Sequence, residues 1–247
     1  MTIPRFPLPE GQPLSGKIVL SGKSYKHLAK FLRAKAGNRV SFYDSKGDEY
    51  LSEIEHISAT KITCRISQKI KQENKPDSKI ILVQGLLKRD KMDLVIEKAA
   101  ELGVGRIIPL ITERSEIKLS QEKINSRLEH WRKIAESATS QSRRSFIPSI
   151  DSPKLFSKAI LELNPKNPNF FLSEDCREKS FSETIKNFMP FSEISVIIGP
   201  PGGFTKTEVA FAEENNLIIT GLKGGILRSE TAAISVLSII QYELGNL

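Results

Sequence analysis

Hydrophobic positions along this chain follow two rhythms, and the change from one to the other falls near residue 72. Residues 16 to 68 read as short strands. "GKIVLSG", "RVSFYD" and "EYLSEIEHIS" around the turn "SKGD", and then "KITCRIS", alternate or cluster their apolar residues over strand-like lengths, while "SYKHLAKFLRA" suits one short helix. "QKIKQENKPDS", Gln68 to Ser78, is polar, carries a proline and lacks periodicity, which marks it as a linker. Beyond it strands and helices alternate. "KIILVQGL" is a continuous apolar run of the kind found in strands covered on both faces. In "KRDKMDLVIEKAAELG", Met92, Val95, Ile96, Ala99 and Ala100 recur at helical spacing, and Gly103 supplies a stop.

The same alternation continues to the end of the chain. "GRIIPLI", "NFFLSE", "EISVIIG" and "LIITGL" read as strands, and "EKINSRLEHWRKIAESATSQS" reads as a long helix with Trp131 as a core anchor. A last helix carries Ala233, Val236, Leu237, Ile240 and Leu244 on one stripe before Gly245; such a stripe suits internal packing or a dimer face equally. This order predicts an α/β domain with a mostly parallel sheet over residues 73–247, preceded by a small β-rich domain over residues 1–72.

Charge sharpens that division. Of the net +8, residues 1–72 hold 13 Lys and Arg against 6 Asp and Glu, whereas residues 73–247 hold 24 against 23. No acid occurs from Gly11 to Tyr43, where Lys17, Lys23, Lys26, Lys30, Arg33, Lys35 and Arg39 fall. A field of that sign attracts phosphate, and a merely solvated face is the other reading. Arg5, Lys23, Lys26, Lys30, Arg33 and Arg39 are therefore candidate RNA contacts. Apolar runs stay well short of the roughly 18 residues of a membrane span, the N-terminal residues lack a signal-peptide pattern, and Cys64 and Cys176 are far apart, so a cytoplasmic protein with reduced thiols is expected.

Two turns stand out. "SVIIGPPGGFTKTE" runs a strand into Pro200, Pro201, Gly202 and Gly203 and then into Thr205-Lys206-Thr207-Glu208, a capping-box pattern that opens a helix. Such a turn is either a tight connection or a place where backbone N–H groups approach a ligand at the carboxyl end of a strand. "GLKGGILRSETAAISVL" places Arg228 and Glu230 at a helix start among apolar residues, where they should pair or face a ligand; Ser229 is a candidate cap. Neither G-x-G-x-x-G after a strand nor G-x-x-x-x-G-K-[ST] occurs, which removes the familiar dinucleotide and P-loop fingerprints. His27, His56 and His130 lack metal-ligand spacing, and no metal is expected.

"GLLKRDKMDLVIEKAAELGV", "PLITERSE", "HWRKIAESATSQSRR", "VIIGPPGGFTKTE" and "GGILRSETAAISVL" together resemble the RsmE family of ribosomal RNA methyltransferases, in the SPOUT superfamily. The resemblance covers nearly the whole chain. It implies a PUA-like β-barrel at the N-terminus, a C-terminal trefoil knot, a homodimer, and methylation of N3 of a uridine in 16S rRNA of the small ribosomal subunit with S-adenosylmethionine. It also implies cofactor contacts at Leu172, Ser173 and Glu174, at Gly199, Pro200, Gly202 and Gly203, and at Ile226, Leu227 and Arg228. Two positions depart from the family pattern. Pro201 stands where glutamate is usual, and Lys223-Gly224-Gly225 stand where glycine-proline-arginine is usual.

Within that reading Arg228 suits the cation beside a uracil anion, and Glu230 is a candidate proton acceptor, with water or phosphate as alternatives. Arg114, Arg143 and Arg144 are either RNA or structural contacts. The competing class is a non-catalytic RNA-binding assembly factor that keeps the basic domain but has a degenerate cofactor loop.

Overall fold

The computed structural model describes residues 3–9, 16–44, 48–70, 79–115, 121–144, 146–176 and 178–247; of Lys23, Phe31 and Gln121 it describes only the backbone. The chain divides into two compact units, residues 1–75 with 139–146, and residues 76–138 with 147–247.

The first unit is built on five strands and one short helix: β1 (Arg5–Pro7), β2 (Lys17–Leu20), α1 (Gly22–Lys26), β3 (Arg39–Tyr43), β4 (Glu49–Ile57) and β5 (Ile62–Ile70). They pair in the order β1-β3-β4-β5-β2, parallel between β1 and β3 and antiparallel elsewhere. The order is open: among the described residues β1 and β2 remain edges, so the expected PUA-like β-barrel is a partly open one. Ile18, Leu20, Leu28, Val40, Phe42 and Ile54 fill its core, so the basic residues interleaved with them are left outside. Leu28 enters from a π-helical turn, His27–Phe31, that continues α1.

Residues 139–146 join this unit through polar contacts. Ser140 Oγ donates to the Arg5 carbonyl at 3.0 Å, and Arg5 Nη1 donates to the Arg144 carbonyl at 3.2 Å. The expected division into residues 1–72 and 73–247 is contiguous, and nothing in the chain order announces such a return. Of the expected linker, Gln68 to Ile70 end β5 and residues 71–78 lie outside the described residues, as do residues 45–47 of the turn "SKGD".

The second unit contains, in order, β6 (Lys79–Gly85), α2 (Arg89–Glu101), β7 (Arg106–Ile111), α3 (Gln121–Ser142), β8 (Ser149–Ile150), β9 (Lys154–Leu155), α4 (Phe156–Leu161), β10 (Asn169–Leu172), α5 (Phe181–Thr184), β11 (Glu193–Ile198), α6 (Lys206–Glu214), β12 (Ile218–Thr220) and α7 (Ser229–Glu243), α3 giving its last turn to the first unit. Its sheet is wholly parallel in the order β12-β10-β11-β6-β7-β8, with β9 also on β7. Successive side chains of a strand point to opposite faces, so a strand buried on both must be apolar throughout. In β6, Ile80 and Leu82 enter the core beneath α2, α3 and α7, and Ile81 and Val83 enter the core beneath α4 and α6.

The predicted stripe of α2 is buried as expected, and Gly103, at φ +74°, ends the helix in the left-handed region. Ala233, Val236, Leu237 and Ile240 of α7 are fully buried in the same core, each larger side chain contributing roughly 1.5–3 kcal/mol. That stripe is consumed inside the unit and says nothing about a dimer. Trp131 is 2% exposed, as a core anchor should be. No helix among the described residues is long and apolar enough to cross a membrane.

Candidate functional site

Three loops leave the carboxyl ends of neighbouring strands β10, β11 and β12. The loop after β11 turns at once: the Gly203 N–H donates to the Pro200 carbonyl at 2.8 Å, with Gly203 at φ +68°, a conformation side chains with a Cβ rarely adopt. The capping box then fixes the start of α6. Thr205 Oγ1 accepts from the Glu208 N–H at 3.3 Å, and Glu208 Oε2 accepts from the Thr205 N–H at 2.9 Å. The other oxygen of Glu208 accepts from the Glu113 N–H at 3.0 Å, tying the loop after β7 to the same turn. The proline-glycine turn is thus held at both ends.

The loops after β10 and β12 pass close to one another. Ser173 N–H donates to the Thr220 carbonyl at 2.8 Å, and Gly221 N–H donates to the Lys179 carbonyl at 2.9 Å. A Cβ on Gly221 would lie 1.9 Å from the Cys176 carbonyl oxygen, so only glycine permits this crossing.

Together the three loops enclose a cavity of about 610 Å3, within the roughly 300–1,000 Å3 usual for small-molecule sites. Of the expected contacts, Leu172, Ser173, Glu174, Gly199, Pro200, Gly203, Ile226, Leu227 and Arg228 line it, together with Glu230. Gly202 is the exception. It stays out of the wall and presents its carbonyl to Arg114 Nη1 at 2.7 Å, which makes Arg114 a structural contact of the turn.

The start of α7 corrects one expectation and narrows another. Ser229 does not cap the helix: the N-cap is Arg228, without a side-chain cap, and Ser229 Oγ donates to the Gly199 carbonyl while accepting from Gln84 Nε2 at 2.9 Å. Glu230 is not paired with Arg228 in an ion pair. Its Oε1 lies 3.0 Å from Lys91 Nζ, its Oε2 is buried without a partner among the described residues, and the residue is 8% exposed. Burial raises the Glu230 carboxyl, but its own backbone N–H and Lys91 outweigh this and hold it below the usual carboxylate range. A carboxylate so stabilised is a weak proton acceptor, which argues against the role expected for it. Arg228 is exposed at the cavity and makes no ion pair among the described residues.

Lys91, Gln84 and Gly221 escaped sequence reasoning as site residues. Gln84 had a signal, being the one polar side chain inside the run "KIILVQGL"; Lys91, one position before the apolar stripe of α2, had none.

In the first unit Lys26, Lys30, Arg33 and Arg39 are exposed, as is Arg143, whereas the Lys23 side chain lies outside what is described. Arg5 must be withdrawn from the RNA contacts. Its side chain is 8% exposed, its Nε lies 3.1 Å from Glu49 Oε1, and its guanidinium stacks 4.9 Å from the Tyr43 ring centroid. Arg144 is half-buried, and burial pushes its guanidinium downward from its ordinary value. His130 Nε2 lies 2.7 Å from Asp93 Oδ2, a pairing the spacing did not anticipate. Cys64 and Cys176 are both free thiols, one in each unit, and burial pushes the Cys64 thiol up to about 12.

With this geometry, relatives can be compared directly. Residues 73–241 match the family model of an RNA methyltransferase domain, and residues 20–67 match that of an RNA methyltransferase PUA domain. A ribosomal RNA small subunit methyltransferase E of Rickettsia conorii is 30% identical over 235 residues, covering 92% of this chain and 90% of its own. The chain belongs to the ribosomal RNA small subunit methyltransferase E family. Another family member, from Bacillus subtilis, is 28% identical over 228 residues, covering 91% of this chain and 89% of its own. Among solved structures, the member of this family from Neisseria gonorrhoeae, crystallised with S-adenosylmethionine, covers 98% of both chains at a TM-score of 0.87 and 26% identity.

Proposed function

We propose that this chain methylates N3 of a uridine in 16S rRNA within the small ribosomal subunit, using S-adenosylmethionine. The observation that carries this reading is the convergence of three strand-end loops on one cavity, whose wall holds the glycine turn and the residues Leu172 to Glu174 and Ile226 to Arg228. The residues present fit the cofactor. Much of the wall is glycine and proline backbone, suited to main-chain hydrogen bonds with an adenosine, and Ile226 and Leu227 are 74% and 41% exposed at the cavity, apolar surface that an adenine ring would cover. Glu174 offers a carboxylate to a cationic group.

When bound, the cofactor supplies an electrophilic methyl group, the electron pair of the broken carbon–sulfur bond remaining on sulfur. Uracil N3 carries a proton and becomes an effective nucleophile only once that proton has left. Arg228, exposed beside the cavity, favours the resulting anion by placing positive charge near its carbonyl oxygens. Glu230 is committed to Lys91, which leaves water or phosphate to take the N3 proton.

Around this centre, residues 1–72 act as the RNA-binding domain and residues 73–247 as the methyltransferase domain, working in the cytoplasm as a homodimer. Exposed Lys26, Lys30, Arg33 and Arg39 support the first role. A C-terminal trefoil knot belongs to the same reading, on the family resemblance alone. The closed turn at Gly203 speaks against a degenerate loop at Pro201.

Two measurements on one preparation test the reading: calorimetry with S-adenosylmethionine, and mass spectrometry of 16S rRNA after incubation with small subunits that lack the modification. Binding and N3-methyluridine formation are expected. Silence in both would overturn it.

A further inference from the structure

The first turn of α2 carries Arg89, Asp90 and Lys91 directly after Lys88, so cations outnumber the one anion where a helix N-terminus favours negative charge. Of these cations, Lys91 lines the cavity. Its side chain is 32% exposed, and Glu230, from the first turn of α7, receives it at 3.0 Å. An ammonium has three donors, so the single bond to Glu230 leaves others for a ligand. On the other side of the pair, Glu230 is buried and one of its oxygens has no partner among the described residues.

Such a pair is a poor device for stability alone. Removing a carboxylate from water is costly, its attraction to a half-exposed lysine is partly screened, and apolar residues of similar volume would serve the core as well. It is well suited to holding a cation at a fixed place in a cavity wall. Arg228 lies in the same wall. Lys223 lies there too, so the cavity presents three cations: Arg228, free of ion pairs among the described residues; Lys223, on an exposed pair with Glu183; and Lys91, the one held by a buried carboxylate.

We propose that Lys91 is a second catalytic cation of this site, contacting the anionic uracil base, and that Glu230 is a positioning residue that anchors it. This inference rests on the methyltransferase reading given above. A cation beside the base lowers the pKa of N3–H, because it favours the charged, deprotonated form. Removing it must then shift the rise of rate with pH to higher pH, which a loss of mere structural support would not do.

The test uses the full-length chain. Lys91→Met keeps the apolar stem and removes the charge; Lys91→Arg restores charge on a different head group; Glu230→Gln releases the anchor. Wild-type turnover on small subunits is measured first, and its absence would count against the methyltransferase reading instead of this one. Given an active wild type, Lys91→Met is expected to lower the single-turnover rate about tenfold to a hundredfold. Its pH profile should move upward, and cofactor affinity by calorimetry should change less than the rate. Lys91→Arg should recover part of the loss. Combining Lys91→Met with Glu230→Gln should cost no more than Lys91→Met alone, as for residues acting as one unit. A folded Lys91→Met with the wild-type rate would overturn the proposal. So would a rate loss with an unmoved pH profile and no recovery in Lys91→Arg.

Discussion

Gln84 and Ser229 stand 145 residues apart in sequence, yet the Gln84 amide donates to Ser229 Oγ at 2.9 Å, with both side chains buried. Because Ser229 Oγ in turn donates to the Gly199 carbonyl, this relay fastens the end of β6 and the start of α7 to the glycine turn. Ser229→Ala removes the shared hydroxyl and leaves a partly buried carbonyl and a buried amide donor short of a partner. It should destabilise the protein by roughly 1–3 kcal/mol and weaken cofactor binding. Thermal unfolding and calorimetry on the same variant check both; an unchanged cofactor affinity would mean that the relay supports the fold alone.

Gly221 offers a steric test of the loop crossing. The Cβ introduced by Gly221→Ala would collide with a backbone oxygen, the Cys176 carbonyl, which cannot turn away as a flexible side chain would. The loops after β10 and β12 must separate, at a cost of about 1–3 kcal/mol or more, and cofactor affinity should fall with stability. Gly225→Ala is the control for stability, since nothing lies within 4 Å of its added Cβ. Equal melting temperatures for the two variants would show that the crossing is loose.

Much of the second unit is legible in its letters because buried parallel strands and amphipathic helices leave strong periodic signals: β6, α2 and α7 follow from spacing alone. Short elements leave none. β8 and β9 have two residues each and exist only through pairing with β7, and β1 is defined by a parallel match to β3. At the site, the turn at Pro200 to Gly203 announces itself by composition and Arg228 by its awkward charge. The partner of Glu230 does not, because Lys91 reaches it from a helix 139 positions earlier in the chain. Similarly, Arg5 looks like one more basic residue until Glu49 and the Arg144 carbonyl surround it.

In the second unit Arg106 and Lys154 form an ion network with Asp151 and Glu162, and it predicts an acid limit. Burial raises the Asp151 carboxyl, but hydrogen bonds from Arg106, with Nη2 at 2.6 Å, and from Lys154, with Nζ at 2.9 Å, outweigh it and leave Asp151 below the usual carboxylate range. A carboxylate depressed in the folded state stabilises it above the unfolded value, near 3.8, and that contribution is lost as pH falls through the folded value. Asp151→Asn should therefore lower stability at neutral pH by on the order of 1–3 kcal/mol. The gap from wild type should close on acidification below about pH 4. Denaturant titrations at neutral pH and at successively lower pH measure the gap; a constant gap would refute the assignment.

Exposed and committed cations of the first unit should part company in salt titrations. Replacing Lys26, Lys30, Arg33 and Arg39 with glutamine removes exposed charge, so RNA binding should weaken and the slope of log affinity against log salt should shrink by about 0.7 for each lost phosphate contact to single-stranded RNA. Arg5→Gln should instead lower the melting temperature, because it removes a buried ion pair with Glu49, and leave the slope alone. Identical slopes for the fourfold variant and wild type would place the RNA elsewhere.

Arg228 carries the most direct test of the chemistry. It occupies the N-cap of α7, where the helix dipole opposes a cation, and its side chain is exposed at the cavity with no ion pair among the described residues. Such a residue contributes little to the fold, so Arg228→Ala should unfold at nearly the wild-type temperature. If its charge serves the anion that forms as N3 loses its proton, removing it should cost on the order of a hundredfold or more in rate, the magnitude typical of a preorganised electrostatic donor. Cofactor affinity should fall less, because main chain and apolar residues make up much of the wall. Single-turnover methylation of small subunits, calorimetry with the cofactor and thermal unfolding on one preparation separate these effects. Near-normal methylation by a folded variant would remove Arg228 from the mechanism, and parallel losses in rate and cofactor affinity would make it a binding residue whose charge meets the cofactor and not the base.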